Sequence, residues 1–178
     1  MTAMDAATSV FECFLLARMH GERATRELAA REYNIDLLTP KQREALRLIE
    51  LPAHPASAYI ELLGAPVRTG KAPINESSPF TRSSSYWFLL PAWPLFAFVV
   101  HEHPAGWAWV EGFVRRLDTS APPSITDPSQ LEPWSITLDE IPDNTEKADA
   151  WDMWIEVVWD DTILTFDYSL LQAVRPGF

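Results

Sequence analysis

The stretch "SYWFLLPAWPLFAFVVHEHPAGWAWVEGF", residues 85–113, decides the fold. From residue 83 to residue 100 there is no charged side chain, so the first question is whether the chain crosses a membrane here. The apolar part, residues 86–100, would span about 22 Å as a helix, against roughly 30 Å for a bilayer core. Pro91 and Pro94 also push Leu90 and Trp93 out of the helical region. The stretch therefore reads as two extended pieces joined by a bend, then a tight turn at HEHPAG and a third strand. No membrane span is expected.

If HEHPAG is the turn of a hairpin, His101 falls opposite Ala108 and Phe98 opposite Glu111. One face then carries Ala97, Val99, His101, Ala108, Val110 and Val114. The other carries Phe96, Phe98, Val100, Trp107, Trp109, Glu111 and Phe113. Both are largely apolar, as in a strand covered on two sides. Helices are expected over one face, and more sheet, a partner or a ligand over the aromatic one. Glu111 is the carboxylate placed among aromatics. Buried there, it would have a raised pKa and could act as a general acid, the basis of an alternative reading as a small hydrolase or ligand-binding domain. At the sheet margin it would simply reach water.

HEHP resembles the metal-binding HxHP of cupins, in which two histidines two apart on a strand share a face. The resemblance makes His101 and His103 candidate ligands. It covers four residues: Trp107 and Ala108 stand where cupins place a glutamate, and no later histidine exists. Neither a metal nor any other cofactor is expected.

Working backward, the first third reads as helices. In "DAATSVFECFLLARMHG" the residues Ala7, Val10, Phe11, Phe14, Leu15 and Met19 recur at helical spacing, with Gly21 as a C-terminal stop. A short polar helix follows. "LTPKQREALRLIE" then opens with Thr39, Pro40 and Gln42 in the capping-box pattern, and a last short helix covers residues 57–63 before Gly64. The segment LTPKQREALRLI resembles the opening helix of a LuxR-type or sigma-factor helix-turn-helix. The continuation, ELPAHPASAYIELLGAP, departs from that motif with three prolines and few donors for base edges, so nucleic-acid binding is not expected. Residues 64–84, rich in Gly, Pro and Ser, read as a connector.

Working forward, strands are expected at residues 86–90, 95–102, 107–117, 134–138, 151–159 and 162–168, with a loop at 118–133 that is either a flap or a strap. Residues 146–159 are ambiguous. Ala148, Trp151, Trp154, Ile155 and Val158 fit a helix, whereas Trp151, Met153, Ile155, Val157 and Trp159 fit a strand. The β-branched and aromatic content favours strand. On that reading Asp152, Trp154, Glu156 and Asp160 share the second face, with Asp161 in the turn. The fold class expected is α+β: N-terminal helices packed on a mainly antiparallel β-sheet formed by the C-terminal two thirds, in a single domain over residues 1–178 with parts 1–63, 64–84 and 85–178.

The net charge of −11 is unevenly spread, since residues 118–178 hold 13 acidic and 2 basic side chains. Such a field repels phosphate backbones and steers a basic partner, although acidity also serves solubility. The single cysteine, Cys13, excludes an internal disulfide and reads as core, and the N-terminus lacks the positive charge of a secretory signal. A cytoplasmic location is the resulting expectation. GxSxG, P-loop, GxGxxG and HExxH motifs are all missing. These observations point to a non-enzymatic acidic binding protein for a basic protein partner, most concretely an inhibitor or immunity-type protein that neutralises a nuclease-like toxin. Asp152, Trp154, Glu156, Asp160 and Asp161 are the expected contact residues.

Overall fold

The computed structural model describes residues 3–31, 54–71, 84–102, 108–109, 114–117, 120–143, 145–151 and 154–177. Within them lie helices α1 (Ala3–Arg18), α2 (Glu22–Ala30) and α3 (Ala56–Leu63), followed by two antiparallel sheets. The capped helix expected from Thr39 lies outside the described residues. The arrangement is α+β, with the expected sheet divided in two.

The first sheet runs β1 (Arg68–Lys71), β2 (Ser84–Leu89), β3 (Phe96–Glu102), with β4 (Ala108–Trp109) and β5 (Val114–Arg116) both on the far side of β3. The bend at Pro91 and Pro94 is a tight corner, in which the Trp93 amide donates to Leu90 O at 2.9 Å and Phe96 N to Trp93 O at 2.9 Å. It brings β2 back along β3 with Leu89 opposite Ala97. The register of the following strands differs from expectation. His101 pairs with Trp109 rather than Ala108, and Phe98 pairs with Val114 rather than with Glu111. The departure is one residue at β4 and three at β5. Strand β1 forms inside what reads as a connector, where its four exposed residues give no periodic signal.

Helix α1 buries Val10, Phe11, Leu15 and Leu16, with Met19 just after it buried as well, and α3 buries Tyr59, Leu62 and Leu63. Both lie on the sheet face carrying Phe88, Phe96, Phe98 and Val100, with the Phe11 and Phe98 rings edge to face at 5.1 Å. The aromatic face of the opening stretch, as far as it is described, is therefore closed core. Each such side chain stabilises the fold by about 1.5–3 kcal/mol relative to an exposed one. Cys13 is buried, and burial raises its thiol pKa. Beside it the buried Glu12 accepts hydrogen bonds from Arg31 Nη1 at 2.9 Å and from the Ala92 amide at 2.7 Å. That carboxylate ties α1 to both α2 and the proline corner.

The second sheet is a meander of β6 (Glu146–Trp151), β7 (Trp154–Trp159), β8 (Thr162–Asp167) and β9 (Leu170–Pro176). Residues 146–159 thus form two strands, not the single strand expected from Trp151. Two-residue turns at Asp160–Asp161 (φ 45° and 59°) and Tyr168–Ser169 (φ 49° and 62°) reverse the chain in the left-handed conformation that matches strand twist. The strand expected at 134–138 is reduced to one bridge, Thr137 to Leu170, because Trp134 has φ 66° and a capping box at Thr137 starts a short 3₁₀ turn, Leu138–Glu140.

Residues 120–143 run across this sheet as a strap, with Ile125, Leu131, Ile136, Leu138 and Ile141 covering Ile155, Val157, Leu164, Phe166 and Leu171. Several contacts among the described residues join the two layers. Arg116 of β5 forms a two-pronged pair with Glu140 and lies 4.8 Å over the Phe96 ring. Trp134 meets Trp93 at 5.6 Å, Arg23 at 4.4 Å and, through Nε1, the Gln172 Oε1 at 3.2 Å.

Candidate functional site

Alternation along β7 sends Ile155, Val157 and Trp159 toward the strap and leaves Trp154, Glu156 and Val158 on the opposite face, each only partly buried. Their cross-strand partners on β8 are Asp167, Thr165 and Ile163. On the other side, β6 carries an irregularity between Lys147 and Asp149, so that Glu146 pairs with Val158 and Asp149 with Glu156. In a regular strand, residues three apart face opposite ways. The extra residue at this bulge returns Asp149 to the face of Glu146. Both are exposed. Glu146 thereby lies opposite Val158 and Asp149 opposite Glu156 on one sheet face, while Trp154, at the start of β7 on the same face, lies opposite Trp151 and Asp167.

The charges here are not equivalent. Glu156 accepts from Arg175 on β9 and, at 3.4 Å, from the Thr165 hydroxyl; its side chain is 15% exposed and that of Arg175 is 55% exposed. Asp149 accepts the Ala150 amide at 2.8 Å, which removes one donor from the β6 edge and blunts it against strand addition. Asp160 and Asp161 are exposed in the β7–β8 turn, where their positive φ makes them turn formers first. Of the sequence-derived contact residues, Trp154 and Glu156 share the face, Asp160 and Asp161 stand at its end, and Asp152 lies outside the described residues.

At the other end the face is closed by the α1–α2 corner. Asp167, 2% exposed, accepts the His20 amide at 2.6 Å and lies 3.2 Å from His20 Nδ1. Burial pushes its carboxyl above the usual carboxylate range, opposed by the two His20 contacts. The His20 ring is 74% exposed and borders an open depression of about 540 Å³ lined also by Met19, Gly21, Glu22, Thr25 and Arg26. This pair fixes the corner on the sheet and orients the imidazole. Neither residue stands out in the sequence, although a lone carboxylate within ILTFDYSLL is the available signal. Gly21 does not stop α1, which ends at Arg18; it permits a close approach, since a Cβ there would lie 3.0 Å from Gln172 Oε1.

Glu111 and His103 lie outside the described residues. His101 is 8% exposed on β3, opposite Ser85 and Trp109. Among the described residues no group of three or more His, Cys, Asp or Glu side chains could hold a metal ion, and no helix is long and apolar enough to cross a membrane. Comparison with known proteins finds no matching family model, no similar curated protein and no similar solved structure.

Proposed function

We propose that this chain is a non-enzymatic acidic binding protein that holds a basic protein partner on the face of β6 and β7 opposite the strap, as an inhibitor or immunity protein holds a basic nuclease-like toxin. The observation that carries the reading is the bulge between Lys147 and Asp149, which turns Glu146 and Asp149 onto the face of Glu156, Trp154 and Val158. A large aromatic sharing a sheet face with several carboxylates is the composition of an interface anchor. The excess negative charge of residues 118–178 favours a cationic protein over nucleic acid.

The test is calorimetric titration with the basic product of the neighbouring gene at low and high salt. Trp154→Ala or Glu156→Lys weakens the complex by about 10–30-fold, the loss typical of an anchor residue. Affinity within about threefold of wild type for the double variant, or binding insensitive to salt, refutes the reading.

A further inference from the structure

Trp154 and Glu156 are two residues apart on β7, so their side chains rise from the same face with Cα atoms roughly 7 Å apart. The carboxylate already holds a guanidinium, that of Arg175 on β9, with the Thr165 hydroxyl on the same oxygen. The Arg175 side chain is more than half exposed, and exposed pairs of this kind are weak and readily exchanged. The tryptophan ring is differently placed. Arg23 lies 4.4 Å over Trp134, Arg68 lies 4.8 Å over Trp87 and Arg116 lies 4.8 Å over Phe96, but among the described residues no guanidinium is stacked on Trp154.

A carboxylate that takes the N–H fork beside an aromatic face that takes the guanidinium plane suits arginine better than lysine, whose ammonium is a compact point charge. Resting on the proposal that this face docks a basic protein, we infer that the group recognised here is a guanidinium. An arginine of the partner lies over Trp154 and takes the Glu156 carboxylate in exchange for Arg175. The approach is face-on, because Asp149 occupies the Ala150 amide and the bulge interrupts β6 as an edge. Glu146 and Asp149 steer the cation, and Arg175 is its internal competitor.

Two synthetic peptides of identical sequence and charge, one with arginine and one with lysine at every basic position, are titrated into the intact protein. The arginine peptide binds about fivefold tighter, and Trp154→Leu abolishes that preference. Trp154→Phe, which keeps a ring of weaker quadrupole, retains part of it and covers a folding failure of the leucine variant. Arg175→Ala tightens the arginine peptide by about threefold, since a weak surface pair no longer competes. Equal affinity for the two peptides, a preference that survives in Trp154→Leu, or no gain in Arg175→Ala overturns the guanidinium assignment and leaves the docking face standing. Peptide binding indifferent to Glu146→Lys with Asp149→Lys removes the docking face itself.

Discussion

Replacing Asp167 by asparagine and by alanine separates what this buried carboxylate contributes as an acceptor from what it costs as a charge. The residue is 2% exposed and one of its oxygens takes the His20 amide at 2.6 Å. Burial is the largest influence on it and raises its pKa above the ordinary 3.8. A group whose folded-state pKa is raised binds its proton more tightly in the folded protein. It contributes stability that is fully present below pH 3.8 and is lost as the pH climbs through the raised value. The Asp167→Asn side chain keeps an oxygen for the His20 amide and carries no charge, so this variant lacks that loss. The stability of wild type minus that of Asp167→Asn therefore shrinks as the pH rises from about 4 to about 7, and the asparagine variant stays within about 1 kcal/mol of wild type at pH 7. Asp167→Ala leaves the His20 amide without its acceptor, a cost of about 1–3 kcal/mol, or about 2–12 °C in Tm for a chain of this size. Urea titrations of the three proteins across that pH range provide the measurement. If wild type instead gains on Asp167→Asn as the pH rises, the ion pair with His20 outweighs burial and the reasoning fails.

Phe98→Ala removes a ring from the centre of the first core and lowers stability by about 3–5 kcal/mol, or roughly 6–20 °C in Tm; a loss below about 1 kcal/mol would show that the helices do not close this face. Gly177→Ala places a Cβ 2.6 Å from Asp161 O, against backbone that also accepts the Gly177 amide, so it destabilises by about 1–3 kcal/mol in a thermal melt, whereas an unchanged melt would mean that the end of β9 is not held there. Arg116→Ala leaves Glu140 largely buried without its guanidinium and costs about 3 kcal/mol, with Arg116→Lys recovering only part because a lysine cannot form the two-pronged contact; full recovery by lysine would refute that geometry.

The sequence was most legible where local rules act alone. Pro91 and Pro94 dictate a corner between two strands whatever surrounds them, and the 3.6-residue spacing of Val10, Phe11, Leu15 and Met19 predicts which side of α1 is buried. Asp160–Asp161 announces a turn between two β-rich runs. It was least legible where placement depends on partners distant in the chain. The register of β3 against β4 and β5 cannot be counted from the turn alone, and it departs from the simplest hairpin by one residue at β4 and by three at β5. Tyr168–Ser169 adopts positive φ without the glycine or asparagine that usually marks such a turn, so β9 gives no warning of its start. The candidate face shows both sides of this. Trp154 and Glu156 follow from alternation along one strand, but Glu146 and Asp149 reach that face only through a bulge, and a bulge appears when two strands are laid side by side.

The bulge also bears on why the negative charge is concentrated after residue 117. A sheet face carrying a partly buried tryptophan and valine invites a second copy to stack on it, and the edge strand beside it invites pairing. Glu146, Asp149 and Glu156 place like charges where another copy would have to approach, and Asp149 occupies the Ala150 amide at the edge. The same field attracts a cationic surface. Solubility and partner sign are thus one arrangement read from two sides, and acidity alone does not distinguish them. What distinguishes them is Trp154. A face required only to stay soluble gains nothing from a large, partly buried aromatic, which a small polar residue would replace at lower risk. Its place beside Glu156, on the side of the sheet that the strap does not cover, is the feature that solubility leaves unexplained and that the proposed docking would use.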